Sequence, residues 1–182
     1  MHDGFIIDKI TNSIEEVKTG KKFDTDVLPM KPEDFLKVNP NKRWHFDWQS
    51  ESEASDHYLY KLVIRGKKTI QGVISIQDFG NYFELHLIET APHNFGKEKK
   101  YEGVLGNLVA YSCKRSYENG NDDCFVTFVA KTRLINHYRK KIGAKIETGN
   151  RMKVFGKSAI KLVNSYYKNL INEKKASIRG TR

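Results

Sequence analysis

The residues with the most chemical promise sit where one apolar pattern ends and another begins. Tyr82–Thr90 (YFELHLIET) alternates like a strand and stops before Pro92. A polar, Lys- and Gly-rich stretch follows over 91–102, and Gly103 then opens a helical pattern that runs to about Glu118. The first N–H groups of a helix have no partner inside the helix, and the helix dipole adds partial positive charge there. Such a start holds anions, pyrophosphate among them. Lys97, Lys99 and Lys100 surround this one, and Gly96, Gly103 and Gly106 allow close backbone approach.

Other chemistries find less support. Gly156-Lys157-Ser158 looks like the end of a phosphate-binding loop, but Arg151 stands where that loop needs glycine. The six histidines, at positions 2, 45, 57, 86, 93 and 137, show no metal-cage spacing, and Asp122-Asp123 lacks a calcium-loop pattern. Cys113 and Cys124 have no CxxC partner, so they read as buried apolar residues of a reducing compartment.

The elements that must position this junction can be read from periodicity. Gly4–Ile10 is β-like, and Ser13–Glu16 matches a capping box. Lys31–Leu36 looks like a short helix start with an early proline. Trp44, Phe46 and Trp48 alternate with polar residues and suit core packing, or a lip over a substrate site. His57–Arg65, Thr69–Gln77 and Tyr82–Thr90 are separated by short turns, which implies an antiparallel meander. Cys124–Ala130 is apolar on both faces apart from Thr127, the mark of a strand in a parallel pair. Helices are expected at about Thr132–Ile142 and Ser158–Ile171, with a hairpin over Lys145–Phe155 between them. The whole is α+β, one domain over residues 1–172 with a basic mobile tail at 173–182.

A chain of 182 residues with 38% apolar and 30% charged residues can bury one core and is not globally disordered. No run approaches a membrane span and the start lacks the basic and apolar regions of a signal peptide, so a cytoplasmic protein is expected. Charge is uneven: residues 1–92 carry 12 Lys/Arg against 15 Asp/Glu, and residues 93–182 carry 20 against 7. The second half is suited to anions, whether a phosphorylated cofactor or nucleic acid. Tyr111, Tyr117, Tyr166 and Tyr167 near basic residues raise the alternative of single-stranded RNA binding, although no RNA-binding signature is present.

The junction also resembles a known family. Lys100-Tyr101-Glu102-Gly103-Val104-Leu105, then Gly106-Asn107-Leu108-Val109, is similar to the Q/R-x-x-G-x-G/A cofactor motif of the GCN5-related N-acetyltransferase (GNAT) superfamily. Ile88-Glu89-Thr90-Ala91-Pro92 resembles the strand end that precedes it. Leu134 to Ala144 is similar to the family's second motif, a helix with a Tyr before a glycine stop. The likeness covers about residues 57–155, and its departures mark a divergent member. Leu105 replaces a Gly or Ala, Lys100 keeps the charge of Arg without its bidentate geometry, and the Tyr138-to-Gly143 spacing is one residue long.

The resemblance implies a mixed, mostly antiparallel sheet with splayed central strands flanked by helices. It implies acetyl-CoA or another acyl-CoA, no metal, and direct attack by an unidentified amine. The donor would contact Ile88 and Thr90 on the strand, Lys97, Lys100, Gly103, Val104, Leu105, Gly106 and Asn107 at the helix start, and Thr132. Tyr138 matches the position of the family's acid, Glu84 that of a base in some members, and Glu89 is the rival base if a β-bulge re-aims it. His86 shares the face of Glu84. The family often dimerises. A GNAT-like chain without catalysis is the alternative that Leu105 motivates.

Overall fold

The computed structural model describes residues 4–11, 13–168 and 170–173. The strands are β1 (Ile14–Glu16), β2 (Lys22–Phe23), β3 (Thr25–Pro29), β4 (His57–Ile64), β5 (Ile70–Asp78), β6 (Phe83–Thr90), β7 (Tyr101–Glu102), β8 (Val126–Val129), β9 (Lys145–Thr148) and β10 (Arg151–Val154). The α-helices are α1 (Trp48–Glu51), α2 (Val104–Glu118), α3 (Ile135–Ile142) and α4 (Gly156–Tyr166). A seven-stranded sheet has the order β3-β4-β5-β6-β8-β10-β9, and a small sheet has the order β2-β1-β7.

The meander β3-β4-β5-β6 is antiparallel throughout, and β8 joins β6 in parallel. Among the described residues the β6–β8 ladder holds two pairs, Phe83↔Val126 and Glu84↔Thr127. Beyond them the strands part, and β8 takes β10 as its antiparallel neighbour on the other side. The sheet therefore opens between its two central strands, with the closed end at Glu84 and Thr127.

Two apolar clusters flank the sheet. Leu62, Ile64, Ile74, Ile76, Leu85 and Ile88 face α2, where Val104, Leu108 and Val109 meet them. Ile70 and Val73, with Leu59 and Leu87 partly buried beside them, face the opposite way and pack on Val38, Trp44 and Trp48. Leu85 and Leu87 would share a face in a regular strand. A bulge separates them: Ser75 pairs with Leu87 and Ile76 with Leu85, which leaves His86 as the extra residue.

Several expectations are corrected. Gly4–Ile10 forms no strand; it runs as extended backbone over α2 and α3, and its polar groups bond side chains instead of a ladder. Ser13–Glu16 forms no helix start: Ile14–Glu16 is β1, paired with β2 and β7. The helix expected at Lys31–Leu36 shrinks to a 3₁₀ turn over Pro32–Asp34. The last helix begins at Gly156 and is interrupted by a turn at Tyr167 and Lys168. Residues 174–182, most of the expected tail, lie outside the described residues. Among the described residues no helix is long and apolar enough to cross a membrane.

Candidate active site

The split between β6 and β8 opens onto a cavity of about 790 Å³. Leu85 to Thr90 of β6 form one wall and Phe128 to Lys131 the other. The helix start contributes Val104 and Leu105, the preceding loop Lys99 and Tyr101, and the segment before α1 His45 and Phe46. The chain's own Gly4, Phe5, Ile6 and Asp8 reach in from the α2 side.

The helix start behaves as an anion cradle, and an anion of this chain sits in it. Asp8 Oδ1 accepts the Gly103 N–H at 3.0 Å, and Asp8 Oδ2 accepts from Lys99 Nζ at 2.8 Å. Gly103 has φ +86°, a left-handed conformation, and a Cβ there would lie 3.1 Å from the Ser13 carbonyl. Gly106 serves a different contact: a Cβ there would collide with the Tyr166 hydroxyl and lie 3.1 Å from the Lys9 carbonyl. Residues 8–11 and 13 thus pass directly over the start of α2.

The expected donor contacts divide accordingly. Ile88, Thr90, Val104 and Leu105 line the cavity. Lys99 bonds Asp8 at the helix start, Lys100 Nζ lies over the Tyr101 ring, and Lys97 is exposed. Asn107 is buried and donates to Thr25 Oγ1 at 2.8 Å, away from the cavity. Thr132 is exposed at the start of the turn before α3, and its hydroxyl bonds Asn150 Oδ1.

Tyr138 is buried between Phe5 and Phe128, with ring centroids 4.7 and 5.1 Å away. Its hydroxyl donates to the Phe5 carbonyl at 2.7 Å, and burial pushes its pKa well up, so it keeps its proton. Glu84 pairs with Arg151 at the closed end of the split and does not line the cavity. Glu89 is 6% exposed and accepts from His45 N (2.6 Å), His45 Nδ1 (3.0 Å), Phe46 N (3.2 Å) and Trp48 Nε1 (3.0 Å). Four donors on two oxygens occupy this carboxylate fully.

That clamp holds a histidine which sequence reasoning missed. Nδ1 of His45 must carry the proton it shares with Glu89, so Nε2 is the basic nitrogen. The side chain is 58% exposed, lies edge-on to Phe95 at 5.6 Å, and borders the cavity. The Trp44–Trp48 alternation was the available signal. Trp44 and Trp48 are buried core, and Phe46 packs beside them while also lining the cavity.

The basic second half is partly spent within the fold. Lys99, Lys114, Arg115, Arg151 and Lys153 all pair with carboxylates. Tyr111 and Tyr166 are buried, which removes them as a stacking platform for bases.

No protein-family model matches the chain, and no curated protein does. Solved structures do. A mutant form of the spermidine/spermine N-acetyltransferase SpeG from Vibrio cholerae superposes with a TM-score of 0.55 at 11% identity, covering 76% of this chain and 97% of that one. A chimera of spermidine N-acetyltransferase SpeG from Vibrio cholerae and hSSAT gives 0.51 at 12% identity, over 78% and 99%. A putative acetyltransferase of the GNAT family from Desulfovibrio desulfuricans gives 0.50 at 11%, over 72% and 96%. The chain has the GNAT fold, as its motifs imply.

Proposed function

We propose that this protein is an N-acetyltransferase that takes its acetyl group from acetyl-CoA and passes it to an amine. The observation that carries the reading is the cavity in the β6–β8 split. It has an anion cradle on the α2 side and a carboxylate-held histidine on the other. The residues fit such a donor. The Asp8 carboxylate stands where a phosphate oxygen would be held, on Gly103 N–H and the Lys99 ammonium. The β6 edge beyond Glu84 makes no ladder with β8 and offers backbone groups to an extended arm.

Acetyl-CoA, when bound, supplies an activated thioester. Gly103 N–H and the Lys99 ammonium would hold its phosphates in the place that the Asp8 carboxylate takes here. The acceptor enters from the α1 side, past Phe46. His45 Nε2 takes the proton of the attacking amine, while Glu89 fixes the ring and stabilises the imidazolium that forms. Glu84 and Glu89 are not the base: one is tied to Arg151 and the other is fully bonded. Tyr138 lies behind Phe5, off the cavity lining, and keeps its proton there; it would be the donor of a proton to the leaving thiolate.

A panel of primary amines with acetyl-CoA, read by free-thiol release and product mass, tests the proposal. Turnover of at least one amine that falls in both His45→Asn and Tyr138→Phe supports it. Turnover that is unchanged in both variants removes this site from the reaction.

A further inference from the structure

On the α1 side of the sheet, three side chains from three elements converge. Glu51 closes α1, His57 opens β4, and His86 is the bulge residue of β6. Glu51 Oε1 lies 2.8 Å from His57 Nδ1 and 2.8 Å from His86 Nδ1, and the imidazole rings are 4.5 Å apart. The donor atoms of all three lie within 4.8 Å of one another. Ser75 Oγ, on the strand between the two histidines, donates to the same Glu51 oxygen at 2.5 Å.

Three donors crowd one carboxylate oxygen, and both rings turn the same nitrogen toward it. For a hydrogen-bond network alone, both Nδ1 atoms must carry protons and share an acceptor with a serine. For a cation the same arrangement is simpler, because two imidazole nitrogens and one carboxylate oxygen lie close enough together to share one ion. Two nitrogens and one carboxylate oxygen form the donor set that zinc takes with a further position open. The surroundings are those of a held ligand set. Asp47 caps α1 through the Ser50 N–H, Ser75 fixes the Glu51 carboxylate, and Asp56 Oδ1 approaches His57 Nε2 at 3.9 Å.

We propose that Glu51, His57 and His86 form a binding site for one divalent transition-metal ion of the zinc class. Glu51 and His57 side chains are 10% and 11% exposed, while His86 is 41% exposed, so the ion enters from the His86 side. His86 is also part of the cavity wall, which puts the site at its acceptor side. The positions 51, 57 and 86 carry no motif spacing, which is why the sequence alone argued against a metal.

The test uses the full chain stripped with chelator and titrated calorimetrically with Zn²⁺, with Co²⁺ as the spectroscopic probe. One Zn²⁺ per chain is expected at micromolar affinity or better, with Co²⁺ visible bands of a low-coordinate nitrogen–oxygen site. His86→Ala should weaken Zn²⁺ binding by at least 100-fold, and because His86 is half-exposed that variant keeps the fold, as its far-UV spectrum will show. His57→Ala should do the same, and His93→Ala, outside the cluster, should change nothing. Absence of stoichiometric binding overturns the proposal. So does binding that survives in His86→Ala, or that is lost in His93→Ala.

Discussion

Glu89 shows how far a residue's role depends on what surrounds it. Its place at the end of β6 suggested a base, but four donors from His45, Phe46 and Trp48 turn it into the clamp that presents His45. The partner stands 44 positions away, so no local spacing could have revealed the pair. His45→Asn should lower kcat by roughly 10²–10⁴-fold, the usual worth of a positioned base, with acetyl-CoA affinity unchanged. An equal loss of acetyl-CoA affinity would make His45 a binding residue instead. Asp8 makes a second residue-scale case. Its carboxylate competes for the groups that hold phosphate, so Asp8→Asn should tighten acetyl-CoA binding about tenfold, ~1.4 kcal/mol. The change is read by calorimetry. Lys99→Ala should weaken binding similarly, whereas Lys100→Ala, whose ammonium lies over the Tyr101 ring, should weaken it less.

At the scale of elements, residues 4–11 departed most from expectation, and the reason is physical. Phe5 and Ile7 alternate as in a strand, and Ile7 is fully buried, but the backbone is satisfied by side chains. Phe5 and Asp8 carbonyls accept from Tyr138 and Lys141, and the Ile7 N–H donates to His137 Nε2 at 2.9 Å. A period of two reports extended backbone and cannot report which partner satisfies it. The same contacts predict a pH effect. Burial, assisted by nearby Lys141, holds the His137 pKa below its ordinary value, which keeps Nε2 able to accept from the Ile7 N–H. A depressed pKa contributes stability above the unfolded value, and that stability is lost as pH falls through the folded one. Amide exchange at Ile7, corrected for its intrinsic rate, should therefore speed up between neutral pH and pH of about 5. His137→Gln should flatten that dependence. The bulge at His86 belongs to this scale as well. It was expected near Glu89, and it lies where β6 must turn Leu85 and Leu87 to opposite faces.

Across the whole molecule, the sheet was the most legible feature. The turns at 65–69 and 78–82 bound three strands whose limits match the structure to within a residue or so. Cys124–Ala130, apolar on both faces, marked a strand of a parallel pair; the resemblance made 82–90 its neighbour, and β6 and β8 do pair in parallel. The edge strand β3 was missed because Thr25–Pro29 is short and half-exposed, with its ladder to β4 supplying what its composition does not. The second core was only half visible, since Trp48 is fully buried across β5 and β6 yet sits in a four-residue helix. Trp48→Ala should cost roughly 3–5 kcal/mol in chemical denaturation and should also loosen the Glu89 clamp.

The central claim is that the β6–β8 split holds acyl-CoA with its phosphates on Gly103 and Lys99. Calorimetric titration of the full chain with acetyl-CoA, beside Asp8→Asn and with ATP as control, tests it most directly. The account predicts one acetyl-CoA per chain at an affinity on the order of micromolar, tighter in Asp8→Asn, with ATP weaker in both. No binding in either protein, or equal binding of ATP, would contradict it.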